Sequence, residues 1–219
     1  MKLLITFNYF EGEFLLKKAK ILEETIIFKD KKQKSKLYLL ELFEEKFYFA
    51  LLGITQVLAI PTLQKILTIN PEINSCLMFG SAGSYDYNIG KLVIINTLKY
   101  KNDILNKYYA INVKIPKWIK KTANLPKLEI FESISVNDVE RPIVEAKGIV
   151  VGAQSIVPPR QCFDMESSEV AYLLKINKIE GVYFRTITDF GEIDFEKIKE
   201  IYASQIENLL KLIYVFLKY

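Results

Sequence analysis

Apolar and polar positions divide this chain into short elements. Leu3-Leu4-Ile5-Thr6-Phe7 is nearly unbroken apolar and predicts a buried first strand. Polar positions follow at Asn8, Glu11 and Glu13, and Phe14 to Ile21 predicts a helix. Between 22 and 52 the pattern predicts two or three antiparallel strands. Thr25–Phe28 and Lys36–Leu40 bracket a charged turn at Lys29–Lys34, and Lys46–Leu52 follows. Gln56–Ile69 predicts a helix. Asn74–Phe79 predicts a short buried strand running into a loop of small residues, Gly80-Ser81-Ala82-Gly83-Ser84. A turn at Ile89-Gly90 leads into a strand at Lys91–Ile95. The pattern weakens over 101–146, where Ile115–Lys121 predicts a short helix. Lys147–Gly152 reads as another buried strand, Val170–Leu174 as a helix and Val182–Asp189 as a strand. Asp194–Lys218 predicts one terminal amphipathic helix, because Ile198, Ile201, Ile206, Leu209, Leu210 and Ile213 recur at helical spacing. Neither a repeat nor a linker interrupts residues 1–219, which predicts a single α/β domain.

Composition narrows the chemistry. The 219 residues are half hydrophobic, and a net charge of +4 comes from lysines interleaved with acids, a solvated surface rather than a nucleic-acid stripe. The chain contains no histidine, which excludes Ser-His-Asp and Cys-His catalysis and histidine-based zinc sites. Cys76 and Cys162 make neither a metal spacing nor a disulfide framework. Acid–base work therefore falls to carboxylates, Lys, Tyr or Cys. The apolar run at the N-terminus is too short for a signal peptide, and the C-terminal run is too short to span a bilayer. The expectation is a cytoplasmic protein that binds neither membrane nor nucleic acid.

Two acids lie where ligands bind in open α/β sheets, at the carboxyl ends of strands. Glu166 precedes a helix and Asp189 ends a strand, with Arg185 two alternations behind it. Acids at a helix start are also ordinary electrostatics. The order Asp164-Met165-Glu166 followed by Arg185-Thr186-Ile187-Thr188-Asp189 resembles the paired signature of 5′-methylthioadenosine/S-adenosylhomocysteine nucleosidases, in the nucleoside phosphorylase superfamily. Three further blocks match in order, near 11–13, 53–55 and 80–83.

The resemblance implies a three-layer α/β/α sandwich around a central mixed, twisted β-sheet. It implies hydrolysis of an N-glycosidic bond in a small-molecule nucleoside, with no cofactor or metal, by a homodimer. In the acidic triplet Glu11-Gly12-Glu13, Glu13 inherits the general base that activates water, although Gly12 departs from the pattern. Asp189 becomes the general acid toward the leaving base. Glu166 holds the ribose hydroxyls, with Met165 against the sugar and Phe163 and Asp164 alongside. Arg185 orients a carboxylate and the water, and Thr188 braces Asp189. Ile54 and the Ser81, Ala82, Gly83 segment line the substrate cavity. Where the family stacks a Phe on the purine, this chain carries Ile156, then Val157, and the connection to Phe163 is shorter. Phosphorylases of the superfamily carry an Arg just before the Gly80 loop; here Met78 and Phe79 stand there, which favours water over phosphate. Futalosine hydrolase shares the motif order, and a binding homologue without turnover is the reading from a different class.

Overall fold

The computed structural model describes residues 1–29, 34–53, 56–84, 89–102, 107–121, 128–135, 161–164, 166–189 and 194–219. Among them, β1 (Lys2–Thr6), β4 (Glu45–Leu51), β5 (Ser75–Gly83) and β10 (Glu180–Asp189) build the centre of a ten-stranded mixed sheet. β5 runs parallel to β1 on one side and to β10 on the other, and β4 extends the sheet beyond β1. β3 (Lys34–Leu42) and β2 (Lys20–Lys29) continue it antiparallel to the outer edge. On the other side β10 pairs with β6 (Leu92–Asn102), which pairs with both β7 (Lys107–Asn112) and β8 (Glu129–Ser135). β8 pairs with the short β9 (Gln161–Asp164), and β9 returns to β5 through Gly83 and Phe163. Half of the sheet thus curls into a closed five-strand ring, the limit of the usual right-handed twist.

Helices cover both faces. α2 (Gln56–Ile69) and α4 (Ser167–Ile176) pack Ala59, Leu63, Ile66, Val170 and Leu174 against Leu3, Ile5, Cys76 and Met78. α1 (Tyr9–Lys18), α5 (Phe195–Ala203) and α6 (Ile206–Lys218) pack Phe14, Leu15, Tyr202, Leu209 and Leu212 against Leu4, Leu77, Phe79 and Phe184. A short α3 (Lys117–Lys121) seats Trp118 beside Phe216. Alternate residues of β1, β5 and β10 feed the two cores, so continuous apolar runs mark strands buried on both faces.

Three expectations need correction. The first helix begins at Tyr9 rather than Phe14 and ends at Lys18, and Ile21 lies in β2. Asn8 stands at the N-cap with Glu11 three residues into the turn, a spacing that starts a helix. The small residues 80–83 are not a loop: they remain in β5, because Gly80, Ser81 and Ala82 face Arg185, Thr186 and Ile187 of β10. The terminal helix is two helices. It breaks at Ser204 and Gln205, since α5 packs on α1 and β10 while α6 packs on β4, and one straight rod cannot follow both.

Candidate active site

The site is built where the pairing of β5 changes hands. β1 accompanies β5 only as far as Met78, and β9 joins at Gly83. In that gap the Ser81 amide donates to the Glu11 carboxylate at 2.7 Å, and the Ser81 hydroxyl donates to the same oxygen, Oε1, at 2.7 Å. The other oxygen, Oε2, accepts from the Thr6 hydroxyl at 2.6 Å and from the Asn8 and Phe7 amides at 3.2 and 3.4 Å. A helix N-terminus supplies free amides and positive potential that favour a buried carboxylate, and the nearby Arg185 guanidinium interacts with it electrostatically. Tyr202 of α5 donates to the Glu11 carbonyl at 3.2 Å and fixes the turn from behind.

Glu11, 2% exposed, therefore occupies the inward position at the start of α1. Glu13 does not. Its side chain is 39% exposed and pairs with Lys17 one turn on, at 3.0 Å, because two residues along a helix is about 200° around it. Gly12, between them, lies against the core: a Cβ there would sit 2.3 Å from Phe49 Cζ. The inward place expected of Glu13 is occupied by Glu11. The signal was legible, since Asn8 and Glu11 have capping spacing, and a helix starting at Tyr9 turns Glu11 inward.

At the other end of the small-residue segment stands Asp189. The Thr188 hydroxyl donates to its Oδ2 at 2.9 Å, and its backbone carbonyl accepts from Ser84 at 2.9 Å. The segment's glycines are shaped around the acids. A Cβ on Gly80 would lie 3.0 Å from Glu11 Oε1 and 3.0 Å from Arg185 Nη1, and one on Gly83 would lie 2.9 Å from Asp189 Oδ1. Any larger side chain would displace a carboxylate. Gly80 and Gly83 are three strand residues apart, on the order of 10 Å along β5.

Arg185 and Asp164 form a third cluster. Both are buried, with Arg185 Nε donating to Asp164 Oδ2 at 3.2 Å. Arg185 Nη2 donates to the Ser167 hydroxyl, and Asp164 also accepts from Ser133 and Ser167 hydroxyls and from the amides of Glu166 and Ser167. Burial alone would raise the Asp164 carboxyl, but Arg185 and the hydroxyl donors outweigh it and hold it below the ordinary carboxylate range. Burial opposes the Arg185 charge, yet the Asp164 and Glu11 carboxylates raise its pKa. The guanidinium also lies 5.6 Å from the centre of the Phe7 ring. Asp164, expected among substrate contacts, is turned inward as a brace for Arg185 and for the first turn of α4. Glu166, 6% exposed, stands at the N-cap position of that helix.

Ala82 is buried and Phe163 half-buried beside Gly83. Ile54, Met165, Ile156, Val157 and the strand expected at Lys147–Gly152 lie outside the described residues. The cysteines contribute no nucleophile: burial raises both thiols, and burial plus the Asp164 charge pushes Cys162 up to about 12. A cavity of about 360 Å³ lies at the opposite, amino end of the sheet, lined by Lys2, Asn74, Trp118, Glu180 and Phe216. Lys2 there donates to the Leu217 carbonyl, and Trp118 stacks on Tyr219, so packing accounts for its walls. No group of three or more metal-ligating side chains occurs among the described residues, and none of their helices is long and apolar enough to cross a membrane.

No protein-family model and no curated protein matches the sequence. Solved structures do. An Asp-to-Asn variant of the Helicobacter pylori 5′-methylthioadenosine/S-adenosylhomocysteine nucleosidase, with 5′-methylthioadenosine in its active site, superposes at a TM-score of 0.73 with 14% identity, covering 97% of each chain. The Colwellia psychrerythraea 34H nucleosidase in complex with adenine gives 0.71 at 15% identity, covering 99% of this chain and 94% of that one. The S. pneumoniae enzyme with a transition-state inhibitor gives 0.70 at 16% identity, covering 100% and 99%. The described residues thus have the α/β fold of these nucleosidases.

Proposed function

We propose that this protein hydrolyses the N-glycosidic bond of methylthioadenosine or S-adenosylhomocysteine, releasing adenine and the thio-ribose. The observation that carries the reading is the placement of two carboxylates, Glu11 and Asp189, at the two ends of the Gly80–Gly83 segment, each against a glycine that leaves it room. In glycoside hydrolysis that proceeds with inversion, acid and base stand apart so that water enters opposite the leaving group. Asp189, braced by Thr188, is the general acid that protonates the departing purine. Glu11 is the general base for water on the far side of the ribose. Ser81 and the β5 backbone contact the nucleoside, and Glu166, at the start of α4, takes the ribose hydroxyls, with Met165 alongside.

The likeness to nucleosidases that bind adenine and methylthioadenosine supports the substrate class. Water is favoured over phosphate because Met78 and Phe79, before Gly80, are both fully buried core residues, whereas a phosphate dianion needs clustered cationic donors. Homodimer formation and a cytoplasmic location in methionine salvage complete the proposal. The test is chromatographic detection of free base from methylthioadenosine, S-adenosylhomocysteine, adenosine, inosine and futalosine, with and without phosphate. Adenine from the thio-nucleosides without phosphate supports the reading. Release only with phosphate, only from futalosine, or from none of them overturns it.

A further inference from the structure

We infer that Thr6 is a positioning residue that decides which oxygen of Glu11 does the work; this rests on the proposed hydrolytic function. Thr6 is the last residue of β1 and is wholly buried, so it touches no substrate. The preceding strand residues Leu3, Leu4 and Ile5 are core hydrophobics, and an alternating buried strand calls for another apolar side chain at this position. A hydroxyl stands there instead, and it donates to Glu11 Oε2 at 2.6 Å, the shortest of the five hydrogen bonds to that carboxylate among the described residues.

The consequence is geometric. With Thr6, Phe7 and Asn8 donating to Oε2, that oxygen is turned into the protein and has no lone pair to offer a water. The two oxygens lie at similar distances, 3.0 and 3.2 Å, from the place a Cβ on Gly80 would take, while Oε1 takes both of its bonds from Ser81. One of its two partners is a backbone amide and cannot leave. The other is the hydroxyl of half-buried Ser81, which can rotate and exchange its donation for a water or a ribose hydroxyl. Thr6 therefore commits Oε1 to the reaction and keeps the carboxylate from rotating about its last bond. Without the Thr6 hydroxyl, only the two longer amide contacts would hold Oε2.

The experiment compares Thr6→Val, which keeps the shape and removes the donor, with Thr6→Ala and Thr6→Ser. Steady-state adenine release is measured with methylthioadenosine, together with the dissociation constant for adenine. Loss of a hydrogen bond to a charged group predicts a kcat lower by ~10-fold or more in Val and Ala. KM and adenine affinity should stay within about two-fold of wild type, and Ser should recover most of the rate, because only the base is misaligned. Unchanged kcat in Val or Ala overturns the inference. So does a loss in Ser equal to that in Val, or a change confined to KM, since a packing role would produce either. Adenine affinity shows that each variant is folded. A wild-type chain that releases no base overturns the hydrolase reading itself, which is a separate result from active wild type with an indifferent Thr6.

Discussion

Two carboxylates near the Gly80–Gly83 segment each accept five hydrogen bonds among the described residues, and they serve opposite ends. Asp164 takes its bonds from Arg185, Ser133, Ser167 and two amides, all within a buried cluster that carries its own cation. Glu11 takes its bonds from Thr6, Ser81 and three amides, all neutral donors, and one of them belongs to a half-buried hydroxyl. A carboxylate closed on an ion pair is a brace, because releasing any partner strands a buried charge. A carboxylate held by neutral dipoles with one replaceable partner can exchange that partner for a reactant. Counting hydrogen bonds does not separate structure from chemistry; the charge and mobility of the donors do.

The contrast can be broken by removing each acid in turn. Asp189→Asn and Glu11→Gln are each expected to reduce adenine release by ~10²–10⁴-fold while circular dichroism shows an intact fold. A variant of either kind that retains near-wild-type turnover would assign that acid to the brace class. Asp164→Asn should do the reverse in emphasis, lowering unfolding free energy by ~3–5 kcal/mol because it leaves Arg185 buried without its anion; urea denaturation measures it.

The same pair sets an acid limit. The folded Asp164 pKa lies below its unfolded value, so its contribution to stability is complete above about pH 4 and is lost as pH falls through the folded pKa. Urea midpoints of the wild type should fall steeply below about pH 4, and those of Asp164→Asn less so. If the two acid limbs run parallel, another carboxylate sets the limit.

Smaller effects sharpen the geometry of α1. Gly12→Ala places a methyl against Phe49 and should cost ~1–3 kcal/mol of stability by overpacking. Glu13→Gln removes only an exposed pair with Lys17, worth about 0.3–0.5 kcal/mol, and should leave the rate unchanged. A large loss of turnover in Glu13→Gln would return the base role to the residue that motif order suggests.

Much of the fold was legible because it rests on local chemistry. The apolar runs of β1, β5 and β10 announce strands buried on both faces, and the period of α2 matches its observed bounds. That Glu166 starts a helix and Asp189 ends a strand was also visible in residue types and order. Motif order alone did not choose between Glu11 and Glu13, although the capping spacing of Asn8 and Glu11 pointed to the inward one. That choice depends on where α1 starts and on the gap that β1 leaves beside Ser81, a fact of strand lengths in three neighbouring elements. Likewise the small residues 80–83 look like a loop until β10 pairs with them, and Asp164 looks like a ligand contact until Arg185 arrives from a strand more than twenty residues later. The sequence by itself determined which residues can be buried and which carry charge, since burial preference and periodicity are properties of neighbours in the chain. Tertiary structure alone decided which carboxylate is hydrogen-bonded to a guanidinium and which to neutral donors, because that is settled by groups that only the completed sheet brings within hydrogen-bond distance.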